Sequence, residues 1–130
     1  MHARGLVVVM VVMTMVGTAA ADGTTFEGKV KTAESAERSA HESKDPAAYE
    51  VCGQAYLEVA EAARTEMPDS VASAMYNAAV CFEEGGSVSA AITLYKQLER
   101  EFPSDRAVPR VVARRAQIYM RLAWYDEAAD

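Results

Sequence analysis

The sequence contains few of the residues that build metal centres, disulfide-rich domains or nucleophilic active sites. It has two cysteines and two histidines among 130 residues. Two cysteines are too few for a disulfide-dense mini-protein or a four-cysteine zinc site. His41 has no cysteine or cluster of metal ligands near it, and Gly85-Gly86 lacks the lysine that a phosphate-binding glycine loop requires. We therefore expect no enzymatic activity, metal, cofactor or small-molecule substrate.

Positive charge is also scarce. Thirteen lysines and arginines stand against 19 aspartates and glutamates, which gives a net charge of -6. Proteins that bind nucleic acid neutralise phosphates with a basic surface, so this balance argues against a nucleic-acid partner.

The longest apolar run is too short to cross a membrane. Residues 6–16 are almost all apolar, whereas a membrane-spanning helix needs roughly 20 such residues. The run follows Arg4 and precedes Ala19-Ala20-Ala21, which is the pattern of a signal peptide with its small-residue cleavage site. The sequence predicts a cleaved secretory signal peptide over residues 1–21, with a membrane-spanning helix as the alternative. Cleavage removes one arginine and no acid, which leaves a soluble chain of net charge -7 without a transmembrane segment.

Residues 22–46 offer little apolar surface for a core. Phe26 is their one aromatic residue and Val30 their one β-branched aliphatic residue, and the others are mainly small or charged. Such a composition does not offset the entropy lost when a chain becomes ordered. We predict a flexible polar linker over residues 22–46, with a docking segment that folds on a partner as the alternative.

From residue 47 onward the pattern is helical, and no stretch alternates with the period of two that a β-strand shows. Apolar and small residues recur every three or four positions. Breaks at Pro68, Gly85-Gly86 and Pro103 divide this part of the chain into four helices. Because the turns between them are short, neighbouring helices must be antiparallel, and the sequence predicts an all-α fold.

Comparison of the chain with itself reveals a repeat. A shift of 37 residues superposes Ala79 on Ala116 and Phe82 on Tyr119. Residues 72–105 resemble one complete tetratricopeptide repeat. Its signature positions are occupied, in order, by Met75, Ala78, Ala79, Phe82, Ala91, Tyr95, Leu98 and Pro103. The small residues at 79 and 91 would let two helices approach closely.

The resemblance implies an antiparallel helix-turn-helix solenoid of tetratricopeptide repeats. In this interpretation residues 47–68 are a degenerate repeat of one long helix, 72–105 the complete repeat, and 109–130 a partial repeat whose second helix has barely begun. The 37-residue spacing after a Phe-Pro pair is similar to that of bacterial cell-envelope tetratricopeptide proteins, including those of the Tol-Pal and outer-membrane-assembly systems.

The end of the repeat array carries its own expectation. Such arrays normally finish with a polar capping helix, so we expect a fragment that is truncated at its C-terminus. Tyr119, Leu122, Trp124 and Tyr125 would then have little to pack against. In a complete chain, these residues should drive dimerisation.

Cys52 and Cys81 lie on consecutive antiparallel helices that reverse near residues 67–69. Residues that face each other across such a hairpin have numbers that add to about 135, and this pair lies within one helical turn, about 5.4 Å, of that register. Exported proteins form disulfides readily, so the pair is either a disulfide or two small buried thiols.

The resemblance also implies a concave groove lined by the first helix of each repeat. Its lining residues are Ser73, Tyr76, Asn77, Val80, Glu83 and Glu84 on one helix and Arg110, Arg114, Gln117 and Arg121 on the next. Residues 106–121 hold five arginines and no acid, so the groove would bind an acidic segment or a carboxylate of a partner. Two alternatives stay open: the arginines pair with acids of this chain such as Glu83 and Glu84 or face water, and Tyr76 is simply half-buried.

These observations predict a non-catalytic periplasmic scaffold that binds a protein or peptide of the cell envelope through its groove. The alternative is a structural subunit of a larger envelope assembly. Such a subunit would pack end-on through its repeats and would have no specific peptide groove.

Overall fold

The computed structural model describes residues 23–129, with side chains up to residue 126. The predicted signal peptide lies outside the described residues. The described chain consists of five α-helices joined by turns and contains no strand. The helices are α1 (Phe26–Ser43), α2 (Pro46–Glu66), α3 (Val71–Glu84), α4 (Val88–Glu101) and α5 (Val108–Ala129), with a 3-10 turn at Pro68–Ser70 between α2 and α3. This part of the chain confirms the predicted all-α fold.

Each helix packs on the next one along the chain. The turns between them are short, so α1 and α2 form one antiparallel hairpin and α3 and α4 form a second. Helix α5 follows the second hairpin and packs on α4. The core lies along the seams between these helices and combines nine buried alanines with larger side chains such as Tyr95, Leu98 and Ile118.

Polar caps and a left-handed residue define the first hairpin. The Thr25 hydroxyl accepts a hydrogen bond from the Gly28 N–H at 3.0 Å and caps the start of α1. Lys44 ends α1 in the left-handed conformation, with φ of 57°. Asp45 then caps α2 by accepting from the Ala47 N–H at 3.0 Å, and Pro46 occupies the first turn. The direction of the chain is thus reversed within two residues.

The prediction of a flexible linker over residues 22–46 is wrong for most of that segment, because residues 26–43 form α1. Ala33 and Ala40 on this helix are completely buried. The Tyr56 hydroxyl of α2 donates a hydrogen bond to Glu37, and Lys29 pairs with Glu58 at 3.8 Å. The composition argument failed because alanines one heptad apart allow a close helix approach, which buries backbone and partner atoms without large apolar side chains.

Helices α2 and α3 approach closely because glycines stand at their contact points. A Cβ atom at Gly53 would lie 2.6 Å from the ring of Phe82, and a Cβ atom at Gly85 would lie 2.6 Å from the Cβ of Tyr49. Both distances are shorter than side chains tolerate. Both pairs fit the register that the sequence predicted for α2 and α3, in which the numbers of facing residues add to about 135.

The α3–α4 hairpin buries most of the residues at the predicted signature positions. Gly86 turns the chain with φ of 87°, a conformation that glycine adopts without strain. Seven of the eight signature residues are buried; they are Met75, Ala78, Ala79, Phe82, Ala91, Tyr95 and Leu98. These residues belong to the core, where Phe82 also packs against Gly53 of α2.

Two expectations about the flanking repeats need correction. The helix predicted for residues 47–68 exists as α2, but it is not a lone degenerate helix, because it is the second helix of a hairpin with α1. The second helix expected near the end of the partial repeat does not begin near residue 125, since α5 runs unbroken to Ala129. No glycine or proline interrupts residues 110–129, and without one the chain has no reason to turn.

Candidate functional site

The ten predicted groove residues lie on α3 and α5, but the structure distributes them among three environments. Ser73, Tyr76, Asn77 and Arg110 line one cavity near the start of both helices. Arg114 and Arg121 converge on Glu83 further along α3. Glu84 instead pairs with α1, where its Oε2 lies 3.1 Å from the His41 Nε2 atom.

The cavity near the helix starts has a volume of about 450 Å³ and largely polar walls. Helix α3 contributes Ser73 and, one turn later, the adjacent Tyr76 and Asn77. The turn before α5 and the first turn of α5 contribute one arginine each. The lining side chains that matter here are Ser73, Tyr76, Asn77, Asp69, Arg106 and Arg110. This turn has a fixed shape, because the Asp105 carboxylate accepts a hydrogen bond from the Ala107 N–H at 2.8 Å.

The two arginines of this cavity form no ion pair within the described part of the chain, although the cavity is also lined by Asp69 and Asp105. Neither Arg106 nor Arg110 forms an ion pair with any residue in 23–126, and both side chains are exposed. The amide of Asn77 likewise makes no hydrogen bond there. The half-buried Tyr76 ring lies 6.3 Å from the Tyr95 ring, which fixes it at the cavity wall. The cavity can therefore offer two guanidinium groups, an amide and a phenol to a ligand.

Glu83 organises the second cluster. Its Oε1 atom accepts from the Tyr95 hydroxyl at 3.0 Å and lies 3.4 Å from the Arg114 Nε atom. Its Oε2 atom lies 3.6 Å from the Arg121 Nη2 atom. Burial, followed by the neighbouring Glu83 charge, raises the pKa of Tyr95 above its usual range. One mostly buried carboxylate thus ties α3, α4 and α5 together.

Arg110, Arg114, Gln117 and Arg121 form an arginine stripe along α5. The sequence left open whether its arginines bind a partner or pair with acids of this chain, and the Glu83 cluster answers this for two of them. Arg114 and Arg121 both face Glu83, an acid of their own chain, as the alternative held, so the two guanidinium groups share one carboxylate. Arg110 differs, since its side chain opens to the cavity without an acidic partner among the described residues. Gln117 and Arg121 also line a second cavity of about 320 Å³ with Met120 and Trp124. Val80 is half-buried on α3.

Cys52 and Cys81 form a disulfide across the α2–α3 seam, with their Cα atoms 5.9 Å apart. Both residues are buried. Of the two alternatives that the sequence left open for this pair, the structure contains the disulfide.

Sequence reasoning missed the acidic residues at the cavity, Asp69 and Asp105, because both lie in turns outside the helical repeat pattern. The sequence contained a signal for Asp105, because an aspartate shortly before a helical run is typical of a turn in which its side chain binds the backbone. The pairing of Arg115 with Glu99 was also missed.

The described residues contain no group of three or more histidine, cysteine, aspartate or glutamate side chains arranged to hold a metal ion. None of their helices combines the length and the apolar character needed to cross a membrane.

Comparison of the chain with family models, curated proteins and solved structures gives no match. The resemblance to tetratricopeptide proteins therefore depends on the residues of the repeat and on the helix pattern alone.

Proposed function

We propose that this chain is a non-catalytic, exported protein-interaction module of the tetratricopeptide type, which binds an acidic peptide segment of a cell-envelope protein. The observation that carries the proposal is the polar cavity between α3 and α5, where Arg106 and Arg110 stand without an acidic partner among residues 23–126 beside Tyr76 and Asn77.

The arrangement of helices supports the repeat assignment. Two antiparallel hairpins followed by a fifth helix are what a short repeat array requires, and the signature residues of residues 72–105 are buried together. With α1 included, the chain holds one more hairpin than the sequence suggested. In this arrangement α3 and α5 are equivalent first helices, and the cavity lies between them.

The chemistry of the cavity indicates the class of partner. A guanidinium group binds a carboxylate through two parallel N–H···O bonds, and such charge-assisted bonds contribute about 1.5–3 kcal/mol each. Tyr76 adds a flat, partly apolar wall on which a peptide can pack. The acids Asp69 and Asp105 line the same cavity and would repel a second negative charge, which limits where it can sit.

The cellular location is part of the proposal. The predicted signal peptide supports export, and a disulfide buried in the α2–α3 seam is what an oxidising compartment permits. The resemblance to Tol-Pal-associated and outer-membrane-assembly proteins favours the periplasm and a partner from the cell envelope.

Affinity capture from a periplasmic and membrane extract tests the proposal. A Tyr76→Ala, Arg110→Gln variant should lose the captured partner while its circular dichroism spectrum stays helical. Arg100→Gln is the matched control, because Arg100 is exposed on α4 away from the cavity. Equal capture by all three proteins would contradict the proposal.

End-on assembly is the second candidate, and the exposed end of α5 favours it. Trp124 and Tyr125 are 71% and 75% exposed, and Leu122 beside them is 45% exposed. If this candidate is correct, a Trp124→Ser, Tyr125→Ser variant loses the partner in the same capture experiment, and the cavity variant keeps it.

A further inference from the structure

Charges of both signs line the cavity between α3 and α5 without neutralising each other. Arg106 and Arg110 line it from the α5 side, and Asp69 lines it from the turn that precedes α3. Within residues 23–126 none of these three side chains forms a hydrogen bond or an ion pair, so the aspartate and the two arginines lie beyond ion-pair distance of one another. Both signs of charge are therefore available to a ligand.

Asp69 is the acid of this cavity that is better placed to bind a cation. The other acid, Asp105, is partly buried and uses one carboxylate oxygen to accept a hydrogen bond from the Ala107 N–H at 2.8 Å. Asp69 is exposed, and its carboxylate accepts no hydrogen bond from residues 23–126. A ligand cation at Asp69 therefore displaces water and breaks no bond of the protein.

The charged groups stand at two levels of the cavity. Helix α4 packs antiparallel between α3 and α5, so these two helices run in the same direction and both begin at the cavity. Asp69 and Arg106 lie at the outer level, and Arg110 lies at the inner level with Asn77. Arg110 follows Arg106 by four residues, so the levels are about 6 Å apart along the helix direction.

An extended peptide has a matching spacing. Its side chains two residues apart lie on the same side of the chain and are separated by about 6.5 Å. A peptide carboxylate at the inner level can contact the Arg110 guanidinium and the Asn77 amide, and a cation two residues away can reach Asp69. The half-buried Tyr76 ring provides a wall beside the inner level.

The two signs of charge also produce selectivity. A peptide with two acids at this spacing places its second carboxylate near Asp69, and a peptide with two bases places a cation near Arg110. Each arrangement brings like charges together, whereas a peptide with one acid and one base avoids both repulsions. Asp69 and Arg110 are exposed, so each attraction is modest and weakens with added salt.

We infer that the cavity selects a peptide segment with an acidic and a basic residue two positions apart, the acid bound by Arg110 and the base by Asp69. This inference rests on the proposed function, because it names the kind of segment that the same cavity binds. Asp69 sets the preference for such a mixed segment over a purely acidic one.

Three capped peptides test the inference by nuclear magnetic resonance titration of isotope-labelled protein. Ser-Glu-Ser-Lys-Ser carries the two charges on one side of an extended chain, and Ser-Glu-Lys-Ser-Ser carries the same residues on opposite sides. Ser-Glu-Ser-Glu-Ser is purely acidic. The first peptide should bind at least about threefold more tightly than either of the others, which is the effect of one exposed ion pair.

Asp69→Asn should reverse this preference. The variant is expected to bind Ser-Glu-Ser-Lys-Ser about threefold more weakly than the wild type and Ser-Glu-Ser-Glu-Ser more tightly. Asp126→Asn is the matched control, because it removes the same charge from an exposed residue near the end of α5, outside the cavity, and should leave all affinities unchanged. A folding defect would weaken every peptide together and so does not reproduce the reversal.

The outcomes separate this inference from the proposed function. If the purely acidic peptide binds as tightly as the mixed one, if Asp69→Asn changes both affinities in the same direction, or if the two mixed peptides bind equally, the inference is overturned while peptide binding stands. If none of the three peptides shifts the amide signals of Tyr76, Asn77 and Arg110, the inference and the proposed function both fail.

Discussion

At the scale of single residues, the smallest side chains determine how this protein packs. Gly53 and Gly85 let α2 and α3 approach until a Cβ atom at either position would overlap a neighbouring side chain. Ala33 and Ala40 do the same for α1. The core sets such small residues against large ones such as Tyr49 and Phe82, so its stability depends on how closely the two fit together.

Gly53→Ala tests this dependence. Alanine favours a helix by about 1 kcal/mol over glycine, but here the added methyl group meets the buried Phe82 ring. We expect overpacking to prevail, with a net loss of about 1–2 kcal/mol in the free energy of unfolding measured with urea. Phe82→Leu should lower the free energy of unfolding less in the Gly53→Ala variant than in the wild type, because the smaller side chain makes room for the methyl group. Strict additivity of the two substitutions would contradict the contact.

Tyr95 gives a second prediction at this scale, for alkaline solution. Its pKa is higher in the folded chain than in the unfolded chain, so the folded state favours the protonated phenol. The resulting stabilisation is complete below the unfolded pKa of about 10 and is lost as the pH rises above it, at up to about 1.4 kcal/mol per pH unit. Urea unfolding from pH 8 to 11 should show this decline, and Tyr95→Phe should reduce its slope. Tyr125→Phe, which changes an exposed ring, should keep the wild-type slope.

At the scale of helices, the sequence was most informative where side chains differ in size and least informative where they are all small. The break residues located α3 and α4 because glycine and proline have specific backbone effects, and seven of the eight signature positions are buried. Helix α1 was missed because a composition rich in alanine, serine and glutamate is typical both of disordered segments and of helices that pack through alanine. Likewise, charge spacing placed the arginines on one face of α5, but only the structure shows that two of them pair with Glu83.

The α3–α4 contact yields the prediction for this scale. Ala91 is completely buried, so Ala91→Leu should overpack the hairpin and lower the free energy of unfolding by roughly 1–3 kcal/mol. Ala90→Leu is the matched control, because residue 90 is exposed on the same helix turn and should change the stability by less than about 0.5 kcal/mol. Equal melting temperatures for the two variants would show that the packing register is wrong.

At the scale of the whole molecule, a disulfide and a carboxylate hold the two hairpins and α5 in one arrangement. Cys52–Cys81 joins the first hairpin to the second, and Glu83 joins the second hairpin to α5. The position of the cavity between α3 and α5 therefore depends on the Glu83 cluster, whose arginines are neighbours of the free Arg110. The arginine stripe thus has two roles along its length, since its later members support the fold and its first member is available to a partner.

Removal of the disulfide tests its contribution to the whole chain. The bond closes a loop of 29 residues, and such a loop contributes about 3–4 kcal/mol by restricting the unfolded state. Cys52→Ala, Cys81→Ala should lower the free energy of unfolding by about this amount while the helical spectrum at room temperature is retained. Mass spectrometry of the wild-type protein after alkylation is the direct check, and two alkylated thiols without reductant would contradict the bond.

A nuclear magnetic resonance titration tests most directly whether the cavity between α3 and α5 binds acidic peptide. A capped peptide of five glutamates is added to isotope-labelled protein, with a peptide of five lysines as the comparison. The account predicts that the glutamate peptide shifts the amide signals of Ser73, Tyr76, Asn77, Arg106 and Arg110, that added salt weakens the effect, and that Arg110→Gln removes most of it. Equal shifts with the lysine peptide, or shifts confined to other helices, would contradict the claim.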